Sequence, residues 1–194
     1  EWMPKAKQQI KVICFNYMRD GELINIKFRG KNKDMKLAKD AELIFYNLDA
    51  IKETEDCVIV EGEIDALSMY EAGIYNSVSV PNGANSNLRY IDNCYEYFIN
   101  KKKIILATDN DSAGRELRTQ LIYRFGSDRC YIVDFPNDCK DSNDVLVKYG
   151  KEKLKELVEN ARPIPIEGLA DDRDRETDLY DLYDNGIPRG TAAG

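Results

Sequence analysis

Apolar and polar side chains alternate along two neighbouring stretches between residues 10 and 29. In the second stretch, Ile24, Ile26 and Phe28 occupy every other position between polar residues. Alternation with a period of two is typical of a strand that buries one face. The sequence therefore predicts an antiparallel β-hairpin here, with its turn at Arg19-Asp20-Gly21.

From Cys57 onward the pattern changes to short apolar runs, each followed by a longer amphipathic stretch. The runs that predict buried strands are Cys57–Val60, Ser77–Val80, Lys103–Thr108 and Cys130–Val133. The stretches that predict helices are 63–73, 87–99, 112–125 and 143–160, the last with a break at Gly150. Because strands alternate with helices, crossover connections and a mostly parallel sheet are expected. The predicted fold class is α/β, with helices on both faces of the sheet and a small β-rich subdomain before it.

The charge of the chain changes near residue 163. Residues 163–194 carry eight acids and three bases, a net charge of −5, which leaves −2 for residues 1–162. Pro163 and Pro165 are expected to end the preceding helix. The predicted parts are a β-rich subdomain over 1–52, an α/β domain over 53–162 and an acidic linker over 163–194. An apolar cluster at 178–184 predicts a short helix that needs a partner to pack against.

The composition excludes several kinds of chemistry. The chain has no histidine, and its five cysteines are scattered without a Cys-x-x-Cys pair. These features exclude histidine acid–base catalysis and argue against a structural zinc site or a disulfide framework. No apolar run approaches the roughly 18 residues of a membrane helix, so we expect a cytoplasmic protein. Any chemistry must come from carboxylates, lysines, hydroxyls or a hard metal ion.

Carboxylates follow two of the predicted strands. Glu61 comes directly after the strand that ends at Val60, and Asp109 and Asp111 follow the strand that ends at Thr108. If these strands are neighbours, the acids meet at the carboxyl edge of the sheet, where α/β folds bind ligands. Oxygen ligands without nitrogen or sulfur select Mg²⁺ or Mn²⁺. As an alternative, Asp111 only caps the helix that follows it.

Glycines and basic residues predict a surface for phosphates. Gly62 directly follows a strand and Gly114 lies in the first turn of a helix, positions that suggest close approach by a ligand. The candidate phosphate-binding cations are Lys27, Arg29, Lys31, Lys33 and Lys36, with a second basic block at Lys101–Lys103. Such local patches can bind phosphates even on a protein without net positive charge. As an alternative, these cations form only a solvated face.

Two segments resemble the signatures of the TOPRIM superfamily. The segment EGEIDALS at 61–68 resembles its E-G-x-x-D strand end, and DNDSAG at 109–114 resembles its D-x-D strand end. The first acids of the two segments are 48 positions apart, a separation that fits one intervening strand and helix. The resemblance implies a Rossmann-like sheet with an acidic metal site at Glu61, Asp109 and Asp111.

Two further segments resemble primase-helicases of the phage and Twinkle type. The segment KDSND at 140–144 resembles their K-D-x-N-D/E motif, which implies Asp141 as a further metal ligand. Its alternative role is a helix cap together with Asp144. The segment 79–85 resembles the loop after the second TOPRIM strand, which implies a nucleotide contact for Asn82.

The resemblance implies a DNA primase core that copies single-stranded DNA into short RNA primers from ribonucleoside triphosphates. Asp109 and Asp111 would hold the metal, and Glu61 would complete the site or accept a proton. The segment 182–190 resembles the connection to a RecA-like helicase, and the sequence contains no initiator Met, zinc module or Walker A motif. We therefore expect part of a larger primase-helicase that can form a homo-oligomer through its helicase domain. The alternatives are a TOPRIM nuclease and a non-catalytic DNA-binding or oligomerisation module.

Overall fold

The computed structural model describes residues 1–83 and 87–164. All of its β-sheets lie in one unit, residues 1–164. The predicted helix at 178–184, with the acidic linker from residue 165 onward, lies outside the described residues. Within the part of the chain that is described, none of the helices has the length and apolar character needed to span a membrane.

The N-terminal part is built from antiparallel strands. A two-stranded ribbon precedes a three-stranded sheet, and their strands are β1 (Trp2–Met3), β2 (Gln8–Gln9), β3 (Ile13–Arg19), β4 (Glu22–Arg29) and β5 (Met35–Leu37). In the larger sheet β4 lies between β3 and β5. Asp20 and Gly21 have φ angles of 53° and 76°, as a tight hairpin turn requires at its two central residues. The predicted hairpin is confirmed.

The second sheet has five strands, of which four are parallel. They are β6 (Asp56–Val60), β7 (Ser77–Ser79), β8 (Lys103–Ala107), β9 (Cys130–Ile132) and β10 (Arg162–Pro163). The spatial order is β10-β9-β8-β6-β7, and only β10 is antiparallel to its neighbour. All four strands predicted from apolar runs are present. The short strand β10 has no apolar run to reveal it, and it carries the sheet to Pro163, one residue past the expected boundary.

Among the described residues, α-helices occupy the connections where amphipathic stretches predict them. They are α1 (Glu63–Glu71), α2 (Arg89–Asn93), α3 (Tyr95–Phe98), α4 (Ser112–Phe125), α5 (Ser142–Tyr149) and α6 (Lys151–Glu159). The stretch 87–99 forms two short helices rather than one, because Cys94 between them has φ −119° and ψ 13°. The predicted break is confirmed at Gly150, whose φ of 84° separates α5 from α6.

Apolar side chains fill both faces of the five-stranded sheet. On one face Ile59 packs in a cluster with Leu117 of α4 and Tyr17 of the N-terminal sheet. On the other face Val58 packs in a cluster with Val145 of α5. Strands that are buried on both faces appear in the sequence as unbroken apolar runs, which is why they could be recognised. The expected helices on both faces are confirmed.

The lysines of the second predicted basic block, Lys101–Lys103, differ in their surroundings. Lys101 is buried, and its ammonium donates hydrogen bonds to the carbonyl oxygens of Ile51 and Thr54. The ammonium of Lys102 pairs with the carboxylate of Glu55 at 2.7 Å. The burial of Lys101 contradicts a phosphate-binding role for this residue, whereas such a role for Lys102 and Lys103 stays a prediction.

Candidate metal centre

The carboxyl ends of two parallel strands bring the predicted acidic segments together. β6 and β8 are direct neighbours, with Val60 opposite Ala107. Both strands therefore end at the same edge of the sheet, and Glu61 and Asp109 follow at that edge. The condition for a shared site, adjacency of these two strands, is met.

Three aspartates converge at this edge and form what we call the aspartate triad. Asp65 lies in the first turn of α1, Asp109 follows β8 and Asp141 precedes α5. Each offers a carboxylate oxygen, and these oxygens all lie within 4.8 Å of one another. Asp65 and Asp109 are 8% and 7% exposed, and Asp141 is partly buried. The donor set is oxygen only, which suits Mg²⁺ or Mn²⁺.

The two other predicted metal ligands are Glu61 and Asp111, and neither belongs to the triad. Glu61 lines the same cavity as the triad. Asp111 is the N-cap residue of α4, since its Oδ1 accepts a hydrogen bond from the amide of Gly114 at 2.9 Å. The capping role that was the alternative for Asp111 is therefore observed, and its metal role stays a prediction.

Asp141 also caps a helix while it takes part in the triad. Its Oδ1 accepts a hydrogen bond from the amide of Asp144 at 2.8 Å, at the start of α5. The amide of Asn143 in the same turn donates to Oδ1 of Asp65 at 3.2 Å. The first turns of α1 and α5 are thus tied to each other at the site, and the capping bonds hold Asp141 in place beside Asp65.

A lysine neutralises part of the acidic cluster. The ammonium nitrogen of Lys140 lies 2.8 Å from Oδ2 of Asp109 and 3.1 Å from Oδ2 of Asp111. The hydrogen bonds to these two carboxylates, led by the one to Asp109, raise the pKa of Lys140. Lys140 therefore stays charged and supplies a positive charge where Asp109 and Asp111 meet.

The acids of the site differ in how strongly they resist ionisation. Burial raises the pKa of Asp65 to about 7, and the negative charge of Asp141 adds to this effect. Burial also raises the pKa of Asp109, although Lys140 opposes the shift. In contrast, the backbone hydrogen bond from Gly114 lowers the pKa of Asp111. A divalent cation would remove the electrostatic cost that the two buried aspartates carry when ionised.

We predict that Asp65→Asn stabilises the metal-free protein, and more so at pH 8 than at pH 5. Between about pH 4 and about pH 7 the folded state keeps a proton that the unfolded state has released, so the unfolding free energy falls as pH rises. Asn does not titrate, so the variant does not lose stability in this way. Its advantage over wild type in unfolding free energy should be on the order of 2 kcal/mol larger at pH 8 than at pH 5. Urea unfolding in the presence of a chelator measures the difference.

The control for this prediction is Asp128→Asn, which removes an exposed carboxylate just before β9, at the opposite end of the sheet. It changes the net charge by the same amount without touching the triad. A stability gain for Asp65→Asn that is the same at pH 5 and pH 8 would contradict the prediction.

A cavity of about 590 Å³ joins the acids to several predicted phosphate-binding residues. This volume is in the range of small-molecule sites. The acids that line it include Glu61 and the whole triad. The predicted nucleotide-contact residues that line it are Lys27, Arg29, Lys33, Lys36, Gly62 and Asn82. Lys31 is exposed and is not among the lining residues.

Lys27 is held in a buried ion pair. Its ammonium lies 2.7 Å from Oε1 of Glu63, and the hydroxyl of Tyr17 donates to the same oxygen at 2.5 Å. Lys27 is 8% exposed and Glu63 is 2% exposed. The solvated-face alternative is therefore wrong for Lys27. Because the lysine is on β4 and the glutamate is in the first turn of α1, the pair joins the N-terminal sheet to the helix that carries Asp65.

The two glycines that suggested a ligand instead make room for the aspartates of the site. A Cβ atom at Gly114 would lie 2.2 Å from the carbonyl oxygen of Asp109. A Cβ atom at Gly62 would lie 2.9 Å from Oδ2 of Asp65. Close approach is thus the correct reason for both glycines, but the approaching group belongs to the protein. A nucleotide contact of Gly62 stays a prediction.

Three functional candidates were not recognised in the sequence, namely Asp65, Glu63 and Lys140. Asp65 is the last acid of the E-G-x-x-D segment, one helical turn after Glu61, and this spacing is a signal that could have found it. Lys140 begins the K-D-x-N-D/E segment and could have been weighed as a partner for the neighbouring acids. Glu63 has no local signal, because its partner Lys27 is 36 positions away.

Comparison with known proteins supports the same interpretation. Residues 58–146, from β6 into α5, match the model of a family described as Toprim-like. These residues contain every member of the triad. The chain contains a Toprim-like domain. Its mostly parallel sheet with helices on both faces is the fold of primase catalytic cores.

The Toprim-like domain and its flanking residues are similar to proteins named as primase relatives. "Primase homolog protein" of Arabidopsis thaliana is 38% identical over 80% of this chain and 52% of that protein. "Twinkle homolog protein, chloroplastic/mitochondrial" of the same plant is 35% identical over 94% of this chain and 29% of that protein. The chain therefore spans about half or less of the length of these relatives.

A solved structure has the same fold. The primase fragment of the bacteriophage T7 primase-helicase protein is 27% identical to this chain and superposes with a TM-score of 0.65. The match covers 75% of this chain and 62% of that fragment. The fold of this chain is thus similar to that of the primase fragment of a primase-helicase.

Proposed function

We propose that this chain is the catalytic core of a DNA primase, which makes short RNA primers on single-stranded DNA with Mg²⁺ or Mn²⁺. One observation supports this most directly. The aspartate triad and a set of cations line a single cavity in a Toprim-like domain, and the chain is similar to proteins named as primase relatives. Nucleotidyl transfer requires carboxylates that bind a divalent cation and positively charged side chains that bind phosphates.

In the proposed reaction, the 3′-hydroxyl of the growing RNA attacks the α-phosphorus of a ribonucleoside triphosphate. A new P–O bond forms, the bond to the β-phosphate breaks, and pyrophosphate leaves. A divalent cation bound at this site would neutralise charge on the phosphate oxygens. Asp65, Asp109 and Asp141 would hold the cation, and the more exposed Asp111 would add a further ligand. Glu61 would accept the hydroxyl proton or complete the ligand set.

Cations of the N-terminal sheet would position the phosphates in this reaction. Arg29, Lys33 and Lys36 line the cavity from β4, β5 and the turn between them. Lys33 is exposed, so its ammonium is available to solvent and to a ligand. Lys36 is partly buried and pairs with Glu1 at 2.6 Å, a surface ion pair that a phosphate can replace. We assign these three residues to the triphosphate or to the template backbone, and Gly62 and Asn82 to the nucleotide.

The direct test is extension of an RNA oligonucleotide annealed to a longer DNA strand. The annealed primer removes the need for template recognition by another module, so the assay reports on the core alone. Incubation with ribonucleoside triphosphates and Mg²⁺ should lengthen the RNA and release pyrophosphate. Cleavage of the DNA without extension would support a nuclease, and binding without either reaction would support a non-catalytic module.

We predict that Lys33→Gln/Lys36→Gln weakens binding of single-stranded DNA and flattens its salt dependence. Each phosphate contact that is lost should reduce the slope of log K against log salt by about 0.7. Fluorescence anisotropy of a labelled oligonucleotide at several salt concentrations measures the slope. Lys11→Gln/Lys39→Gln is the matched control, since both lysines are exposed and lie outside the cavity lining. Equal changes in the two double variants would indicate only a general charge effect.

The core would act as part of a larger polypeptide. The T7 protein is named a primase-helicase, and the chain covers only part of its curated relatives. We therefore propose a helicase domain in the same polypeptide as a partner, with oligomers formed through that domain. Mass photometry of the purified full-length polypeptide measures its oligomeric state. It tests this part of the proposal independently of the primer-extension assay.

A further inference from the structure

We propose that Lys140 is a built-in counter-ion of the metal-free site, which a divalent cation must displace and which then binds the triphosphate. The inference rests on the proposed metal site. It adds a residue that makes metal binding depend on the presence of the triphosphate. Lys140 would be a positioning residue with two alternative partners, the carboxylates before loading and the phosphates after it.

The contacts of the ammonium group show why it competes with a metal. It lies 2.8 Å from Oδ2 of Asp109, the acid that also belongs to the triad, and 3.1 Å from Oδ2 of Asp111. A divalent cation on Asp109 would therefore be within a few ångströms of the ammonium, and the two positive charges would repel each other. Binding of the cation and retention of the Lys140 contacts are thus mutually unfavourable.

The backbone of Lys140 is fixed independently of its side chain. Its carbonyl oxygen accepts a hydrogen bond from the amide of Asn110 at 2.7 Å, and its own amide donates to Oδ2 of Asp144 at 3.0 Å. These bonds hold the loop between Asp109 and Asp111 against the start of α5. The side chain is 48% exposed, so the ammonium can leave the carboxylates without movement of the main chain.

The displaced ammonium has a place to go. Lys140 lines the cavity that also contains Arg29 and Lys33, so a triphosphate bound there lies within reach of its side chain. An ammonium that leaves two carboxylates regains its electrostatic partners on phosphate oxygens. The cation and the triphosphate would then favour each other's binding, because only together do they satisfy the acids and the lysine. The site would hold a bare cation weakly and a cation with its triphosphate well.

The first measurement is titration of the full chain with Mn²⁺ alone by calorimetry. Lys140→Met should bind Mn²⁺ about tenfold more tightly than wild type, a difference of about 1.4 kcal/mol. Lys140→Arg keeps the charge and should bind like wild type. Lys148→Met is the matched control, because Lys148 has a similar exposure of 43% and pairs with Asp138 away from the cavity. Melting temperatures verify that all variants are folded.

The second measurement is titration with a preformed complex of Mn²⁺ and tripolyphosphate. Here the order should reverse, and Lys140→Met should bind several-fold more weakly than wild type. Unchanged or weaker binding of bare Mn²⁺ by Lys140→Met would overturn the counter-ion role, and tighter binding of the complex would overturn the phosphate role. Neither measurement involves primer synthesis. A chain that shows both effects yet extends no primer would disprove the proposed function and leave the lysine exchange standing.

Discussion

Asp109→Asn should lower primer extension by at least about 1,000-fold, a loss of about 4 kcal/mol of transition-state stabilisation. Asp109 is the one acid that belongs to the triad and also contacts Lys140. The side-chain amide of the substituted asparagine carries no negative charge, so it would bind a divalent cation weakly. The fold should be retained or slightly stabilised, because burial of the Asp109 carboxylate is itself unfavourable. Single-turnover extension rates measure the loss.

Two neighbouring variants sharpen this result. Asp65→Asn should show a loss of similar size, whereas Asp111→Asn should lose less, because Asp111 lies outside the triad and Asn preserves the helix cap. Asp128→Asn should extend primers at the wild-type rate. If Asp111→Asn lowered the extension rate more than Asp65→Asn, the result would contradict the triad as the ligand set. It would indicate a metal site between Asp109 and Asp111.

Lys27→Met should reduce the free energy of unfolding by about 3–5 kcal/mol. The substitution leaves the carboxylate of Glu63 buried without its cation, and Glu63 is 2% exposed. The hydroxyl of Tyr17 still donates to Glu63, but one neutral donor does not replace a charge. Urea unfolding followed by circular dichroism measures the effect.

The double variant Lys27→Met/Glu63→Gln separates the ion pair from other roles of the lysine. It removes both charges, and it should recover most of the stability that the single variant loses. Lys36→Met provides the comparison at a more exposed ion pair, where a loss below about 1 kcal/mol is expected. If the double variant were as unstable as Lys27→Met, the loss would come from packing of the lysine side chain rather than from an unpaired buried charge.

Most of the fold could be predicted from the sequence, because the patterns that indicate its strands and helices are local. Apolar runs mark β6 to β9, which are buried on both faces, and the amphipathic stretches between them mark the helices. The two-residue strand β10 could not be predicted, since it has no apolar run and its position depends only on pairing with β9. The stretch 87–99 has enough apolar residues for one helix, but its backbone turns at Cys94 to place Tyr90 and Phe98 in the core.

The site was predictable only in part. Glu61 and Asp109 follow directly from strand ends, and the resemblance supplied Asp141. The E-G-x-x-D spacing makes Asp65 a candidate, but its place in the triad depends on how α1 leaves the sheet, and the sequence alone does not specify that direction. The burial of Lys27 likewise depends on where the N-terminal sheet packs against α1. A basic residue and an acidic residue far apart in the sequence give no sign that they will pair, so Lys27 resembles its solvated neighbours.

Metal binding at the aspartate triad would also depend on the order of folding. Asp65, Asp109 and Asp141 are separated by 44 and 32 positions, and each comes from a different connection of the sheet. A nascent chain that has been synthesised only through α4 lacks Asp141, and an intermediate with α5 undocked cannot bring the third carboxylate to the other two. A metal ion held by these three carboxylates would therefore bind the completed domain in preference to its precursors and would pull the equilibrium towards it. The cation would act last in assembly, and it would select for chains that have finished folding.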